Sequence, residues 1–402
     1  MLALVKFIRF LLVLCSAMAP AVLMAQTPSE PPKAKHITTI PFTILTGGII
    51  ILRATLDNAP DTLNFVLDTG SGGISLDSAT CDYLKLKREK SRVMIKGIAG
   101  IRPVEYTYNH KLKMNNITVE NLDFHVNDYD ILTSVYGIKI DGIIGYSFLH
   151  RYLVVINYEK NTIEIFTNGK YKYPRGGHIL HPSFNTLPIQ PVWMRDKRPI
   201  ASQVYFDTGA GLCFLLSDNF ANDSAVLSGK KKLYPTLAQG LGGKADMRLT
   251  TLKEVKIGPY KFRNVPTYVF NDPYNATGYP QVSGLIGNDI LRRFHVVLNY
   301  AEREIFLKPN HFFRDSFDYS YTGLGIYLID RKITVLDIMK DSPAEKAGLQ
   351  IGDVIIGVNK DFTNNIQTYK TLLQSAGESQ NLLIQRENVG MFTVILKVKS
   401  IY

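Results

Sequence analysis

Short apolar runs alternate with turn residues over most of the chain. Runs such as 49–52, 63–67, 153–156 and 163–166 are rich in β-branched and aromatic residues, and glycine, asparagine, aspartate and proline separate them. Apolar positions at the 3.6-residue spacing of a helix are sparse. Runs of this length and composition predict β-strands, so most of the chain is predicted to be β structure.

One strand motif occurs twice. Residues 65–71 read FVLDTGS and residues 204–210 read VYFDTGA, so each strand ends on an aspartate in a Thr-Gly turn. A second motif follows each copy, DGIIG at 141–145 and SGLIG at 283–287. The distance from aspartate to final glycine is 77 residues in the first half and 80 in the second.

The repetition extends beyond these motifs. Residues 148–158 and 290–300 are identical at six of eleven paired positions. A period near 140 residues is too long for a solenoid and indicates a duplicated domain. We therefore predict an N-terminal lobe at 37–175 and a C-terminal lobe at 176–312. A glycine pair lies between the two motifs of each half, Gly97 and Gly100 in the first and Gly240 and Gly243 in the second.

The N-terminus differs from the rest of the chain. Lys6 and Arg9 precede an apolar stretch that continues to residue 25, which predicts a secretory signal peptide at 1–25. An uncleaved anchor helix is the alternative, although Ser16 and Pro20 interrupt the stretch and it is short for a bilayer span. A polar, proline-rich leader, predicted to be flexible, follows at 26–36.

The distribution of charge limits the classes of binding partner, and the cysteine content limits the possible disulfides. The 402-residue chain has a net charge of +11, but its basic residues are scattered apart from the run 230–232, and no nucleic-acid motif accompanies them. Membrane association is possible but is not indicated by the sequence. Beyond the signal segment only Cys81 and Cys213 remain, and their apolar surroundings predict buried free thiols, with a disulfide as the alternative in an exported protein.

The chain changes character near residue 320. Residues 323–326 (GLGI), 341–349 (DSPAEKAGL) and 351–359 (IGDVIIGVN) resemble a PDZ domain, predicted at 313–402. The resemblance implies a peptide groove between the following strand and a helix that contains Ile366. It also implies a ligand with a free C-terminus, bound by the carboxylate loop. A groove that is empty or filled by the chain itself is the alternative. The loop residues are Gly323, Leu324, Gly325 and Ile326.

The doubled motif resembles the pepsin and retropepsin class of aspartic peptidases. The residues that carry this resemblance are 68–71, 207–210 and the downstream motifs 143–145 and 285–287. It implies an all-β, bilobal aspartic-peptidase fold, followed by a small α+β PDZ domain. With that PDZ domain the architecture resembles bacterial exported peptidases, located in the periplasm, at the outer membrane or outside the cell.

The chemistry implied is hydrolysis of peptide or protein substrates by Asp68 and Asp207. Two facing carboxyls share one proton, so one member can take a proton from water while the other donates to the peptide carbonyl. Pepsin-like dyads are a standard example of this behaviour. By resemblance, Thr69 and Thr208 bond between the lobes, Gly70 and Gly209 allow the sharp turns, and the four paired glycines are flap residues or belong to plain mobile loops.

One departure from symmetry suggests unequal aspartates. Ser71 has a hydroxyl for Asp68, whereas Ala210 offers none to Asp207. A hydrogen bond to the ionised form lowers a pKa, so we expect Asp68 to be the more readily ionised member.

Two other functions fit parts of the sequence. A peptide-binding scaffold could keep this fold without cleaving. A metal hydrolase is suggested only by His178 and His181, which have no carboxylates at ligand spacing and lie in a predicted linker. The sequence predicts no cofactor and no metal.

Overall fold

The computed structural model describes residues 32–97, 100–240 and 243–402, and it is mostly β-sheet, as predicted. The first half contains ten strands and three helices. The strands are β1 His36–Ile44, β2 Ile50–Leu56, β3 Leu63–Leu67, β4 Ile74–Asp77, β5 Glu89–Gly97, β6 Gly100–Met114, β7 Ile117–Asn127, β8 Gly142–Ile144, β9 Tyr152–Asn157 and β10 Thr162–Thr167. The helices are α1 Ser78–Tyr83, α2 Asp130–Tyr136 and α3 Tyr146–Leu149, and a 3-10 turn spans Thr46–Gly48.

The second half repeats much of this order. Its strands are β11 His178–Leu180, β12 Ser183–Phe184, β13 Pro188–Arg195, β14 Pro199–Phe206, β15 Phe214–Ser217, β16 Tyr234–Gly240, β17 Gly243–Ile257, β18 Tyr260–Phe270, β19 Gly284–Ile286, β20 Phe294–Asn299 and β21 Glu304–Pro309. Its helices are α4 Asp218–Ser224 and α5 Asn288–Leu291, followed by a 3-10 turn at His311–Arg314. The second half contains no counterpart of α2 within the described residues.

The last part of the chain is a small α+β domain. Its strands are β22 Ser320–Tyr321, β23 Leu324–Ile329, β24 Lys332–Ile338, β25 Val354–Val358, β26 Ser379–Arg386, β27 Gly390–Lys397 and β28 Lys399–Ser400, and its helices are α6 Pro343–Lys346 and α7 Ile366–Leu372. Strands β23 to β27 form one sheet with β23 at its edge. Asn365 caps α7, and Ile366 and Tyr369 are buried on the side of α7 that faces the core.

The same strand arrangement surrounds each Asp-Thr-Gly turn. In the first half β8 pairs in parallel with β3 and antiparallel with β4. In the second half β19 pairs in parallel with β14 and antiparallel with β15. The short strand of each downstream motif therefore lies between the strand that enters the aspartate turn and the strand that leaves it.

The two halves join through their matching stretches. Strands β9 and β20 pair antiparallel, with Val155 opposite Val297 and Val154 opposite Leu298. Val155 and Val297 are also equivalent positions of the repeat, because the stretches begin at residues 148 and 290. The pseudo-twofold axis consequently passes between these two valines, and one apolar core continues through both halves.

The described residues modify the predicted leader. Ala34 donates its backbone N–H to the Lys170 carbonyl at 2.9 Å, and Lys170 donates to the Pro32 carbonyl at 2.8 Å. Residues 32–35 are therefore bonded to the chain beyond β10, because their backbone groups find partners there, and this part of the leader is not free. The predicted signal segment at 1–25 lies outside the described residues.

Two other features bear on the sequence predictions. Cys81 and Cys213 are buried and free, which confirms the predicted thiols. No helix among residues 32–97, 100–240 and 243–402 is long and apolar enough to cross a membrane.

Candidate active site

Each aspartate is held at the end of a buried strand. The Asp68 backbone N–H donates to the Ile144 carbonyl at 2.9 Å, and the Asp207 backbone N–H donates to the Ile286 carbonyl at 3.0 Å. Both acceptors belong to the downstream motifs that the sequence paired with the two turns. Because equivalent apolar strands are buried in both lobes, the polar turns that follow them lie at equivalent ends of the two lobes.

The two turns face each other across the pseudo-twofold axis. A Cβ atom built on Gly70 would lie 2.6 Å from Asp207 Oδ2, and one built on Gly209 would lie 2.5 Å from Asp68 Oδ1. Real Cβ atoms do not make such short contacts, so each carboxyl occupies space that only a glycine in the opposite lobe leaves open. This cross-lobe contact brings Asp68 and Asp207 together.

The threonines of the two turns hold the lobes in register. Thr69 Oγ1 donates to the Phe206 carbonyl at 2.6 Å and accepts from the Thr208 N–H at 3.0 Å. Thr208 Oγ1 donates to the Leu67 carbonyl at 3.0 Å and accepts from the Thr69 N–H at 3.1 Å. Both threonines are buried. The cross-bonding that the resemblance implied is therefore present in both directions.

The electrostatics of the pair favour one shared proton. Burial raises the pKa of Asp68 well above its ordinary value, and the nearby charge of Asp207 raises it further. Burial also raises the pKa of Asp207. The carboxyls are close enough to hydrogen-bond to each other. A second negative charge in this space is costly, so the pair keeps a proton at pH values where an isolated carboxyl has lost it.

The expected asymmetry between the aspartates is wrong. Asp68 accepts from the backbone N–H groups of Gly70, at 2.6 Å, and Ser71. Asp207 accepts in the same way from Gly209, at 2.8 Å, and Ala210. No described hydrogen bond joins the Ser71 hydroxyl to Asp68. Because backbone donors serve both carboxyls alike, the serine gives Asp68 no advantage in ionisation.

The paired glycines lie at the ends of two hairpins. Gly97 of β5 pairs with Gly100 of β6, and Gly240 of β16 pairs with Gly243 of β17. Each lobe therefore has a hairpin at its glycine pair, and the flap role of these glycines stays a prediction. The residues between each glycine pair lie outside the described part of the chain. Lys96 Nζ donates to the Asn275 carbonyl at 3.2 Å, so the first hairpin reaches the opposite lobe.

The sequence prediction missed helix α2 as part of this site. Its Tyr136 is half-buried and packs beside an apolar cluster that contains Ile49 and Val66. Burial and, to a smaller extent, the charges of Asp68 and Asp207 raise the pKa of the Tyr136 phenol to about 12. Tyr136 therefore lies within electrostatic reach of both aspartates. The one local signal was Gly137, a left-handed helix C-cap that follows a short apolar stretch.

The predicted carboxylate loop of the last domain lies away from the aspartates. Residues 323–326 line a cavity of about 300 Å³ between this domain and the C-terminal lobe, together with Tyr268 and Lys370. Beyond the loop, the groove between β23 and α7 is covered by helix α2. A Cβ atom on Gly137 would lie 3.7 Å from Leu328 Cδ2 and even closer to Ile366 Cγ2.

The described residues do not support the metal alternative. Their one group of three or more His, Cys, Asp or Glu ligand atoms is Asp77, Asp128 and Asp130. Asp77 already accepts hydrogen bonds from the N–H groups of Thr80 and Tyr129. His178 and His181 are not part of that group.

Family models match both parts of the chain. An aspartyl protease model matches residues 52–148 and 191–290. Each matched segment contains one Asp-Thr-Gly turn and the glycine of its downstream motif. A PDZ domain model matches residues 334–386. The chain contains an aspartyl protease domain and a C-terminal PDZ domain. The comparison with curated proteins found no match. The aspartyl protease domain thus includes both facing aspartates, and the PDZ match begins after the carboxylate loop.

Proposed function

We propose that this protein is an exported aspartic endopeptidase whose catalytic residues are Asp68 and Asp207. The observation that carries the proposal is the mutual approach of the two carboxyls, each beside the glycine of the opposite turn. Export is supported by the charged and then apolar pattern of the first 25 residues. The matches to an aspartyl protease model support peptide or protein substrates.

The geometry suits general acid–base hydrolysis. With one proton on the pair, the ionised carboxyl removes a proton from a water molecule as the water oxygen attacks the peptide carbonyl carbon. The protonated carboxyl donates its proton to the carbonyl oxygen, giving a neutral gem-diol. Its collapse breaks the C–N bond as a proton passes to the leaving nitrogen. The threonine cross-bonds keep the two carboxyls at a fixed separation during these transfers.

The raised pKa values of the two carboxyls support activity at pH values where an ordinary carboxyl has lost its proton. Cleavage needs one proton on the pair, and burial and mutual repulsion keep that proton on the pair above the ordinary carboxyl range. We expect a bell-shaped pH profile with its alkaline limb well above the ordinary carboxyl range. An alkaline limb near pH 4 would show that the pair is not coupled in this way.

Part of the PDZ groove is open to a ligand. Its carboxylate loop faces the cavity of about 300 Å³, so binding of a peptide C-terminus there remains part of this proposal. The other end of the groove is covered by helix α2, so an extended strand along the whole of β23 is not part of it.

A peptide-library digest read by mass spectrometry tests the proposed activity. Asp68→Asn and Asp207→Asn should each lower cleavage by roughly 10²–10⁴-fold, since each removes one partner of the proton transfer. Asp330→Asn is the matched control, because Asp330 is exposed at a PDZ turn. If the unmodified protein cuts no peptide between about pH 3 and pH 8, the proposal fails and the scaffold function is favoured.

A further inference from the structure

The C-terminal end of α2 is bonded by side chains of the PDZ domain. Lys370 Nζ donates to the Val135 carbonyl at 2.5 Å, and Gln367 Nε2 donates to the Tyr136 carbonyl at 2.8 Å. The last carbonyls of a helix have no partner inside the helix. Gln367 and Lys370, three positions apart on one face of α7, donate to two of these carbonyls. The positive charge of Lys370 also suits the negative end of the α2 helix dipole.

Helix α2 needs such external support. It has seven residues, and isolated helices of this length are marginal in water. No residue of α2 is fully buried, and its N-cap residue Tyr129 makes no side-chain capping bond, although Asp128 Oδ1 accepts from the Asp130 N–H at 2.9 Å. Contacts with other elements must therefore stabilise α2. They come from an apolar cluster and β16 of the protease domain and from β23 and α7 of the PDZ domain.

Gln367 also holds a second segment beside the aspartates. Its Oε1 accepts from the Thr46 N–H at 2.8 Å and from Thr46 Oγ1 at 2.7 Å. The turn that begins at Thr46 contacts the second catalytic turn, since a Cβ on Gly47 would lie 2.5 Å from the Gly211 carbonyl oxygen. One amide of the PDZ domain thus uses both its donor and its acceptor on segments that flank the site.

These contacts connect the PDZ domain to the substrate side of the site through single residues. The Tyr136 carbonyl accepts from Gln367, and the Tyr136 side chain packs against the apolar cluster that contains Val66, two residues before Asp68. Gly137 lies between Leu328 of β23 and Ile366 of α7, in the groove where other PDZ domains bind peptides. This part of the groove is occupied from within the chain.

We propose that Gln367 is a positioning residue of the peptidase site, and that helix α7 supports α2 as a wall of the substrate cleft. The PDZ domain then sets substrate affinity through this internal contact. The inference rests on the proposed endopeptidase activity. Tyr136 is the residue of α2 through which the contact with the PDZ domain affects substrate binding.

Two variants of the full-length protein separate the contacts of Gln367. Gln367→Met keeps the length of the side chain and removes all three hydrogen bonds. Gln367→Glu keeps an acceptor for Thr46 but has no donor for the Tyr136 carbonyl. Gln385→Ala is the matched control, because Gln385 is exposed on β26. Each variant is measured by peptide-cleavage kinetics and by hydrogen–deuterium exchange of residues 130–136.

We expect the Met and Glu variants to raise KM about three- to tenfold, because the hydrogen bonds lost, three in the Met variant and the one to Tyr136 in the Glu variant, affect substrate only indirectly, with kcat changed less than about twofold. Amide exchange across residues 130–136 should become faster in both variants and stay unchanged in Gln385→Ala. Unchanged exchange in folded Gln367→Met or Gln367→Glu protein would overturn the proposal. So would a change in kcat alone, which would place the effect on the aspartates. If the unmodified protein proves inactive, the proposed function fails, while the exchange measurement still decides the support of α2.

Discussion

At the residue scale, the carboxyls of Asp68 and Asp207 are the proposed catalytic groups and also lower the stability of the folded protein as the pH rises. The native pair holds a proton more tightly than the unfolded chain does, because burial raises both pKa values. The stability contributed by this proton is fully present below the ordinary carboxyl pKa. It is lost as the pH rises through the raised values of the folded protein.

We therefore predict that Asp68→Asn stabilises the protein at neutral pH while abolishing cleavage. The amide cannot ionise, so Tm should exceed that of the unmodified protein by roughly 1–2 °C at pH 7.5, the effect of about 1 kcal/mol in a chain of this size. The difference should shrink towards pH 4. Thermal melts across this range, with Asp330→Asn as control, provide the measurement, and a gain in Tm independent of pH would contradict the prediction.

The threonine cross-bonds permit a second prediction. Thr69→Ala leaves the buried Thr208 N–H and Phe206 carbonyl without a partner, whereas Thr69→Ser keeps the hydroxyl. Each unpaired buried group costs about 1–3 kcal/mol, so urea denaturation should show Ala less stable than Ser by roughly 2–4 kcal/mol. Equal stability of the two variants would mean that the methyl group, and not the hydroxyl, matters.

Single residues also show where sequence reasoning succeeds and fails. The repeated spacing predicted that Asp68 and Asp207 meet, because a duplicated fold imposes symmetry on equivalent positions. The same reasoning assigned the Ser71 hydroxyl to Asp68, and that was wrong. The direction of a hydroxyl depends on local packing, while the backbone donors of the turn depend only on its fold.

At the element scale, the downstream motifs differ between the lobes in one informative residue. Asp141 is buried and accepts from the Asn64 N–H at 2.8 Å and from Thr80 Oγ1 at 2.7 Å, so it joins β3, α1 and the start of β8. The side chain of its counterpart Ser283 donates one hydrogen bond, from Oγ to the Gln203 carbonyl at 3.1 Å. The first lobe therefore depends more on this residue than the second does.

We predict that Asp141→Ala lowers the free energy of unfolding by about 2–4 kcal/mol, since it leaves buried donors without partners. Ser283→Ala at the equivalent position should cost about 1 kcal/mol. Chemical denaturation of the two variants compares them directly. If the two variants lose similar amounts of unfolding free energy, the hydrogen bonds of Asp141 contribute no more than the single side-chain bond of Ser283.

Elements differ in how well the sequence predicted them. The hairpins that end at Gly97 and Gly240 and the strands of the lobes follow from local alternation and turn residues. Helix α2 did not, because seven residues carry too little periodicity to distinguish a helix from a loop. Its position depends on Gln367, which is 231 residues away along the chain, and local patterns contain no information about such contacts.

At the scale of the whole molecule, Arg293 fastens the connection between the protease and PDZ domains. It is almost fully buried and donates to the carbonyls of Asp289, Phe312, Asp315 and Ser316. Its guanidinium also lies 4.2 Å from the centre of the Phe317 ring. A planar group with several donors is needed to reach carbonyls in so many directions.

Arg293→Lys should therefore loosen residues 312–320. Limited proteolysis in this segment should become about three- to tenfold faster, as expected when one or two hydrogen bonds are lost. Arg151→Lys, at the equivalent position of the first lobe, is the control, because the Arg151 side chain donates to the carbonyls of Glu120 and Asn121 in its own lobe. Equal cleavage of both variants within 312–320 would contradict this role.

The order of the domains was predictable, while their mutual contacts were not. The repeat and the PDZ-like motifs gave two lobes and a third domain, and the predicted boundaries at 175 and 312 remain predictions. The docking of the PDZ domain onto both lobes was not foreseen, although a groove filled by the chain itself was one alternative. The salt bridge between Lys244 and Asp337, for example, joins two residues that no local sequence pattern relates to each other.

The pairing of Val155 with Val297 has a consequence for the history of the fold. Each half offers the other the same strand edge, which is the geometry of an isologous interface between identical subunits. Two separate copies of one half could meet in this way, but both copies would then carry every substitution. Fusion into one chain removes that constraint. It lets the halves differ at Ser71 and Ala210 and at Asp141 and Ser283, and it leaves one half free to supply helix α2 to a domain that has no symmetry mate.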